Sequence, residues 1–302
     1  MLAVIDKDKQ PVLLFPYTVH SHPIFGKNII SCGNIEYGGF AGDGDKKYIE
    51  KVLDYLSEKY KKDFQYLEIR QGVMDLDTKK LKKIKEYSYF ITKLEDSEDL
   101  WKRIDKQKRK AVRKAEKSSV ITRALKETDI KDIYALYLKN MKRFGSPPVS
   151  IIFFENFWKY LVQDNLGIAF GSFYKNKLIA VLIGYCFKER IHIIINVHNP
   201  KFQDMRPNDA VHWKMIEWGC EKRYKIFDWG RVRTESSQYA FKKKWASEEK
   251  ELHHYYLLWN AEDTQNIDPN NPKYKLFILL WKQLPTFISR RIGPWLREGM
   301  GI

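Results

Sequence analysis

The sequence predicts an α/β protein of two domains, the first reduced, followed by an amphipathic helical tail. Three observations predict it. The 302 residues correspond to about two domains of ~150 residues each. Period-two and period-3.6 apolar patterns alternate along most of the chain. Over residues 120–259 the elements read β-α-α-β-β-β-α-β-α-β. A strand, helix, strand succession within one sheet forces a crossover and a partly parallel arrangement.

The first half opens in strand-like sequence. Residues 2–5, a Lys7-Asp8-Lys9-Gln10 turn and residues 12–19 read as a hairpin. Residues 33–44 form a glycine-rich loop. Residues 46–60 predict a helix with Ile49, Val52, Leu53 and Leu56 on one face. Residues 64–70 and 87–94 read as strands. Residues 97–117 predict one long helix, with Ser97 as cap and Asp99 at its positive end. Its apolar stripe is Leu100 or Trp101, Ile104, Ala111 with Val112, and Ala115, and the remainder is densely basic.

The second half continues with a strand at 120–124 and a helix at 129–144, capped by Thr128 and stopped by Gly145. A further helix at 151–163 precedes three strands at 167–174, 178–187 and 191–197. A helix at 208–223 leads into a strand at 225–228, then a short helix around Phe241 and a last strand at 251–259. The segments expected as units are residues 1–96, a basic connecting helix at 97–117, a second domain at 118–262 and the tail at 263–302.

Hydrophobic residues make up 44% of the chain, ample for two cores. The net charge of +16 points to an anionic partner: nucleic acid, a phosphorylated substrate or an anionic membrane. The alternative is a solvated lysine-rich surface. Cys32, Cys186 and Cys220 are odd in number and scattered, which argues against a disulfide framework and for a reducing compartment. No zinc-ligand spacing is present, so no metal is expected. No basic stretch followed by an apolar run marks a signal peptide, and no segment reaches the ~20 apolar residues of a membrane span. The expected location is cytoplasmic, with peripheral contact at the inner face of a membrane as an extension of it.

Residues 226–245 carry the most chemistry. A short apolar run ends on Asp228; Gly230 follows beside Arg231 and Arg233, then Phe241-Lys242 and Trp245. A carboxylate, several cations and a Phe-Lys pair thus gather outside a strand end, where open α/β sheets place their sites. A fixed cation at Lys242 suits stabilisation of a developing oxyanion in acyl transfer. Phe241 would order that lysine and exclude water. Asp228 would accept a proton, orient an amine or lock Arg231; a structural ion pair or a helix cap is the alternative. No Ser-His-Asp or Cys-His set is evident, so covalent catalysis has no candidate. His253 and His254 point to opposite faces of a strand, and His192, His198 and His212 are isolated.

This block resembles the Fem-type aminoacyltransferases and their FemAB-like relatives in the GNAT superfamily. The carriers are Phe227, Asp228, Gly230 and Arg231, then Phe241, Lys242 and Trp245. The family's glycine after that tryptophan is Ala246 here, a departure expected to alter a turn. The resemblance covers most of residues 86–302 and is weaker before them. It implies two GNAT-like domains in tandem, Phe241 and Lys242 as the element that meets the acyl donor, and a charged tRNA as that donor. It also implies that Tyr37, Gly38 and Gly39 line an acceptor cleft; a plain turn is the alternative. The acceptor would be an amine of a phosphorylated or lipid-linked cell-envelope precursor of the peptidoglycan type.

Two segments bear on the donor. Acetyl-CoA-binding GNAT enzymes hold the pyrophosphate on a glycine-rich turn before a helix. Here residues 199–210 contain no glycine, and Pro207 removes an amide donor. Arg206 could still meet a phosphate by charge. No cofactor is therefore expected, and aminoacyl-tRNA is preferred to acyl-CoA. The basic helix suits a phosphate backbone, with Arg109 and Arg113 one turn apart as the best clamp. A non-catalytic module that binds RNA or anionic lipid, and an acyl-CoA-dependent N-acetyltransferase, are the two alternatives to an aminoacyl- or acyltransferase.

The tail, residues 274–296, has Leu276, Leu280, Leu284, Ile288, Ile292 and Trp295 on one stripe, flanked by Lys275, Lys282, Arg290, Arg291 and Arg297. Pro285 and Gly293-Pro294 divide it. The stripe is expected to pack back onto the domain, with interfacial membrane contact as the alternative.

Overall fold

The computed structural model describes all residues except 34, 73, 234, 235, 262–271 and 302. In chain order the strands are β1 (Leu2–Ile5), β2 (Pro11–Phe15), β3 (Tyr17–His22), β4 (Gly26–Ser31), β5 (Ala41–Gly42), β6 (Tyr66–Gln71), β7 (Lys82–Lys93), β8 (Ile121–Ala124), β9 (Gly167–Tyr174), β10 (Lys177–Phe187), β11 (Arg190–His198), β12 (Ile226–Val232) and β13 (Glu248–Leu258). The helices are α1 (Lys46–Tyr60), α2 (Ser97–Arg103), α3 (Lys106–Lys117), α4 (Ile130–Phe144), α5 (Ile151–Phe157), α6 (Pro207–Glu221), α7 (Ser237–Lys243), α8 (Pro272–Gln283) and α9 (Thr286–Met300). The fold is mixed α/β. Two compact units form: Met1–Ser88 with Glu251–Tyr274 and Trp295–Ile302, and Tyr89–Lys250 with Lys275–Pro294. The boundary expected at 262–263 lies outside the described residues.

In the first unit α1 follows the sequence reading. Asp45 caps it by accepting from the Lys47 amide at 2.9 Å. Ile49, Val52, Leu53 and Leu56 are buried, packed with Phe15, Leu67 and Ile69. β4 and β6 run parallel with α1 in the crossover, and β6 pairs antiparallel with the end of β13. The strand expected at 12–19 is broken at Pro16, which has no amide to donate to a ladder. β2 then pairs with β1, and β3 with β4, a strand the sequence pattern did not reveal.

In the second unit β8 to β11 form an antiparallel meander, and β12 joins β11 in parallel after the α6 crossover. The element order from β8 to β13 is the expected one. Leu178, Val181 and Ile183 pack with α4 and α5, while Ala180, Leu182 and Ile191 pack with Val211, Met215 and Ile216 of α6. Gly145 closes α4 at φ +73°, as expected. Thr128 does not cap α4; Asp129 turns back instead to accept from the Lys126 amide at 2.8 Å.

The basic segment is two helices rather than one. Ile104 is extended (ψ 141°) and its side chain is buried. Asp105 then caps α3 by accepting from the Gln107 amide at 2.7 Å, while Asp96, not Ser97, caps α2. The tail also differs from expectation. Leu276, Leu280, Ile292 and Trp295 of the expected packing stripe are exposed, and Trp281, Ser289, Leu296 and Met300 are the buried side chains. α9 continues through Pro294. Among the described residues, no helix is long and apolar enough to cross a membrane.

Candidate active site

Strands β11 and β12 pair only at Arg190–Ile226, Ile191–Phe227 and His192–Asp228. β11 stays on β10 as far as His198, while β12 runs on to Val232 away from it. The two parallel strands therefore part at their carboxyl ends, the place where α/β sheets open a crevice. The sequence reading ended this strand at Asp228; apolar residues resume at Trp229 and Val232, both in the core, and carry it further.

Gly230 shapes the departing strand. It adopts φ +68°, a conformation that favours glycine. Phe227 and Trp229 face the core on alternate residues, but the next inward side chain is Val232. One extra residue has been inserted, as in a β-bulge. The bulge turns two carbonyls toward α7. Lys242 donates to both, to Gly230 O and Arg231 O at 3.0 Å each. Ser236 caps the short helix that delivers Lys242, accepting from the Tyr239 amide at 3.3 Å. The Lys242 ammonium is thus buried and fixed by main chain.

Phe241 is partly buried beside it. Its ring lies 5.2 Å from that of His212 and 6.0 Å from that of Trp245. The Lys108 ammonium stands 3.5 Å from its centroid and 2.7 Å from Asp209 Oδ1. Burial lowers the Lys108 pKa, and Asp209 opposes that shift. The break at Ile104 makes this contact available. The Asp105 amide donates to Lys244 O at 3.1 Å, and Lys244 Nζ donates to Gln107 Oε1 at 2.6 Å, so the start of α3 is tied to the turn after α7.

His212 stacks on Trp229 with centroids 5.1 Å apart and planes 16° apart. Its Nδ1 lies 2.7 Å from Asn208 O. A carbonyl only accepts, so Nδ1 carries the proton and Nε2 the lone pair. Burial drives the His212 pKa down to about 3, with Lys108 and Lys242 pushing the same way. His198 is lowered as well, first by burial and then by Arg143. This is an aromatic box around an imidazole, His212, that is neutral at neutral pH, with the buried Lys242 and the partly buried Lys108 at its edge.

The turn into α6 bears on coenzyme A. Arg206 is left-handed at φ +58° and Pro207 opens the helix without an amide. The amides of Asp209 and Ala210 both donate to Arg206 O. Asp209 places a carboxylate in the first turn, where the helix dipole would otherwise favour a ligand's negative charge. At the start of α6, then, Pro207 has no amide donor and the amides of Asp209 and Ala210 are engaged.

The structure brings Lys242, Phe241 and Arg206 into one neighbourhood, since Arg206 acts electrostatically on Lys108. Asp228 stands apart. It is wholly buried on the other face of β12 from Trp229, bound by Arg190 at 2.7 Å, His192 at 3.2 Å and the Gly230 amide at 3.0 Å. Arg190, on the neighbouring strand, is a partner the sequence reading did not name. Arg231 and Arg233 are partly buried on the chain leaving the bulge. Arg109 is partly buried on α3, whereas Arg113 is exposed with its guanidinium 5.8 Å from the Trp101 ring.

Tyr37, Gly38 and Gly39 belong to the first unit. Their close backbone approach is made within that unit. A Cβ at Gly38 would lie 2.5 Å from Cys32 Sγ, and one at Gly39 2.1 Å from Gln71 Oε1. Lys108, Asp209, His198 and His212 were missed as site residues by the sequence reading. The one available signal was a basic residue at position 108 beside Arg109, one step off the face considered. Among the described residues, no group of three or more His, Cys, Asp or Glu is placed to hold a metal ion.

Comparison with known proteins bears on the fold. Residues 102–243 match the family described as Acetyltransferase (GNAT) domain. No curated protein matches the sequence. Among solved structures, the chain is similar to FemX at 15% identity and TM-score 0.64, covering 91% of this chain and 89% of that one. L-PGS from Bacillus licheniformis is similar at 12% identity and TM-score 0.54, covering 95% and 88%. A GCN5-related N-acetyltransferase from Sphaerobacter thermophilus is similar at 8% identity and TM-score 0.51, covering 84% and 79%.

Proposed function

We propose that this chain, a FemAB-like protein with a GNAT acyltransferase domain, moves an aminoacyl group from a charged tRNA onto an amine of an anionic cell-envelope precursor. The GNAT match and the FemX-like fold support acyl transfer. The observation that carries the reading is the pair of enclosed cations, the partly buried Lys108 against the Phe241 ring and the buried Lys242 next to it in sequence. A neutral amine attacks the ester carbonyl of the donor. The new N–C bond forms as the C–O bond to the tRNA ribose breaks, and the amine proton passes to the leaving hydroxyl. Negative charge develops on the carbonyl oxygen in between. Fixed cations in a site with little water stabilise that charge strongly. Lys242 also holds the bulge, and so sets the main chain where β12 leaves β11.

The choice of donor rests on the α6 turn, where Pro207 has no amide, those of Asp209 and Ala210 are engaged, and the first turn holds a carboxylate. Arg206, Arg231 and Arg233, with Arg109 and Arg113 on α3, supply charge for the phosphates of donor and acceptor.

The test is product mass spectrometry after incubation with charged tRNA and envelope precursors. Wild type should yield an aminoacylated precursor. Lys242→Ala should lower kcat by about 10²–10³-fold with little change in tRNA affinity, and Lys242→Arg should recover part of it. Stabilisation by micromolar acetyl-CoA together with acetyl transfer would instead assign an acyl-CoA donor. Binding of tRNA without any product, unaffected by Lys242→Ala, would leave a polyanion-binding module.

A further inference from the structure

Helix α8 presents large apolar side chains on the side opposite its buried one. Trp281 is buried, while Leu276, Leu279 and Leu280 are 60, 60 and 61% exposed. At 3.6 residues per turn these leucines fall in one arc, away from Trp281. Phe287, at the start of α9, is 75% exposed. Phe144, at the end of α4, is 46% exposed, and its neighbour Gly145 packs against Ile278 of α8. Single exposed leucines are ordinary, but a group of large apolar side chains on adjoining elements marks an interaction surface.

The charge carried by this segment has one sign. Residues 272–297 contain no Asp or Glu, and they include Lys275, Lys282, Arg290 and Arg291. Arg143, with its guanidinium 4.7 Å from the Phe144 ring, adjoins the same edge.

We propose that this face docks on an anionic lipid bilayer. The leucines and Phe287 enter the interface between headgroups and acyl chains, and the lysines and arginines meet lipid phosphates. α8 is 12 residues long, which suits a helix lying in the interface and is too short to span. A second copy of this chain would bring two cationic rims together, and like charges oppose such a contact. A nucleic acid would engage the cations but leave the leucines in water. Docking goes beyond acyl transfer and uses neither Lys108 nor Lys242. It would bring the site to lipid-linked acceptors.

The experiment is vesicle flotation of the full chain with phosphatidylcholine vesicles, with and without phosphatidylglycerol. Wild type should float only with the anionic vesicles, and added salt should release it. The combined variant Leu276→Ser, Leu280→Ser, Phe287→Ser should bind at least about tenfold more weakly with an unchanged melting temperature, because these side chains are exposed. The pair Lys282→Glu, Arg291→Glu should act alike, and decides the matter if the serine variant melts early. Lys242→Ala should float as wild type does, which separates this surface from the catalytic reading. Absence of wild-type flotation, or flotation of both surface variants as strong as wild type, overturns the proposal. So does a dimer in light scattering that the serine variant converts to monomer, which would assign the face to a second copy.

Discussion

Lys108 and Asp209, 101 residues apart in sequence, form a partly buried ion pair at 2.7 Å beneath the Phe241 ring. Breaking such a pair leaves one charge poorly compensated, a loss of about 1–3 kcal/mol. Lys108→Met or Asp209→Asn alone should therefore lower the urea midpoint sharply. Lys108→Met with Asp209→Leu should recover much of the loss, because neither charge then remains buried. Additive losses in the double variant would show that the two groups are not coupled.

Gly230 sits at φ +68° with its carbonyl bound to Lys242. A side chain there strains the backbone by about 1–2 kcal/mol. Gly230→Ala should lower stability by that amount and reduce kcat more than KM, since the bulge that Lys242 grips would relax. Denaturant titration and steady-state kinetics on one preparation measure both effects.

Ala246 occupies the left-handed region at φ +52°, where the family resemblance places glycine. Relief of strain is worth about 1–2 kcal/mol, and the extra freedom of glycine in the unfolded chain returns about 0.5–1. Ala246→Gly should be a net stabilising change of about 0.5–1 kcal/mol, seen as a melting temperature raised by a few degrees. A lowered melting temperature would contradict the conformation assigned to this turn.

The buried imidazole of His212 predicts acid lability. Its pKa falls from the ordinary value near 6.5 to about 3 on folding. The unfolded chain takes up a proton below ~6.5 while the folded chain does not, so stability is full above that pH and declines as pH drops toward 3. The slope approaches about 1.4 kcal/mol per pH unit for one proton. In the first unit, Glu68 adds a loss below its own ordinary range: burial raises its pKa, but Arg70 and His254 outweigh that and hold the folded carboxyl low. Urea midpoints between pH 7 and 5 should fall in wild type and fall less in His212→Phe.

Much of the fold could be read before any coordinates. The buried face of α1, the strand boundaries of β9 and the order from β8 to β13 all follow from local periodicity and turn residues. Part of the candidate site was legible too, because Phe241, Lys242 and Gly230 stand in one short stretch with recognisable spacing. What was misread lay where a distant contact overrides a local pattern. Residues 97–117 look like one helix, yet burial of Ile104 and the bond from the Asp105 amide to Lys244 O divide it. Arg109 and Arg113 drew notice as arginines, while Lys108 is the cation that enters the interior. Asp228 pairs with Arg190, a partner on the neighbouring strand that no nearby spacing reveals.

The sequence alone determined the order of elements from β8 to β13, the apolar faces of most helices, and the strongly basic character of the chain. Those properties depend on side chains a few positions apart. The tertiary structure decided which cations are buried, what each holds, and which apolar stripe of the tail stays in water. Such outcomes depend on pairing between residues far apart in the chain, where desolvation and hydrogen-bond geometry select one partner among many of the same chemical type.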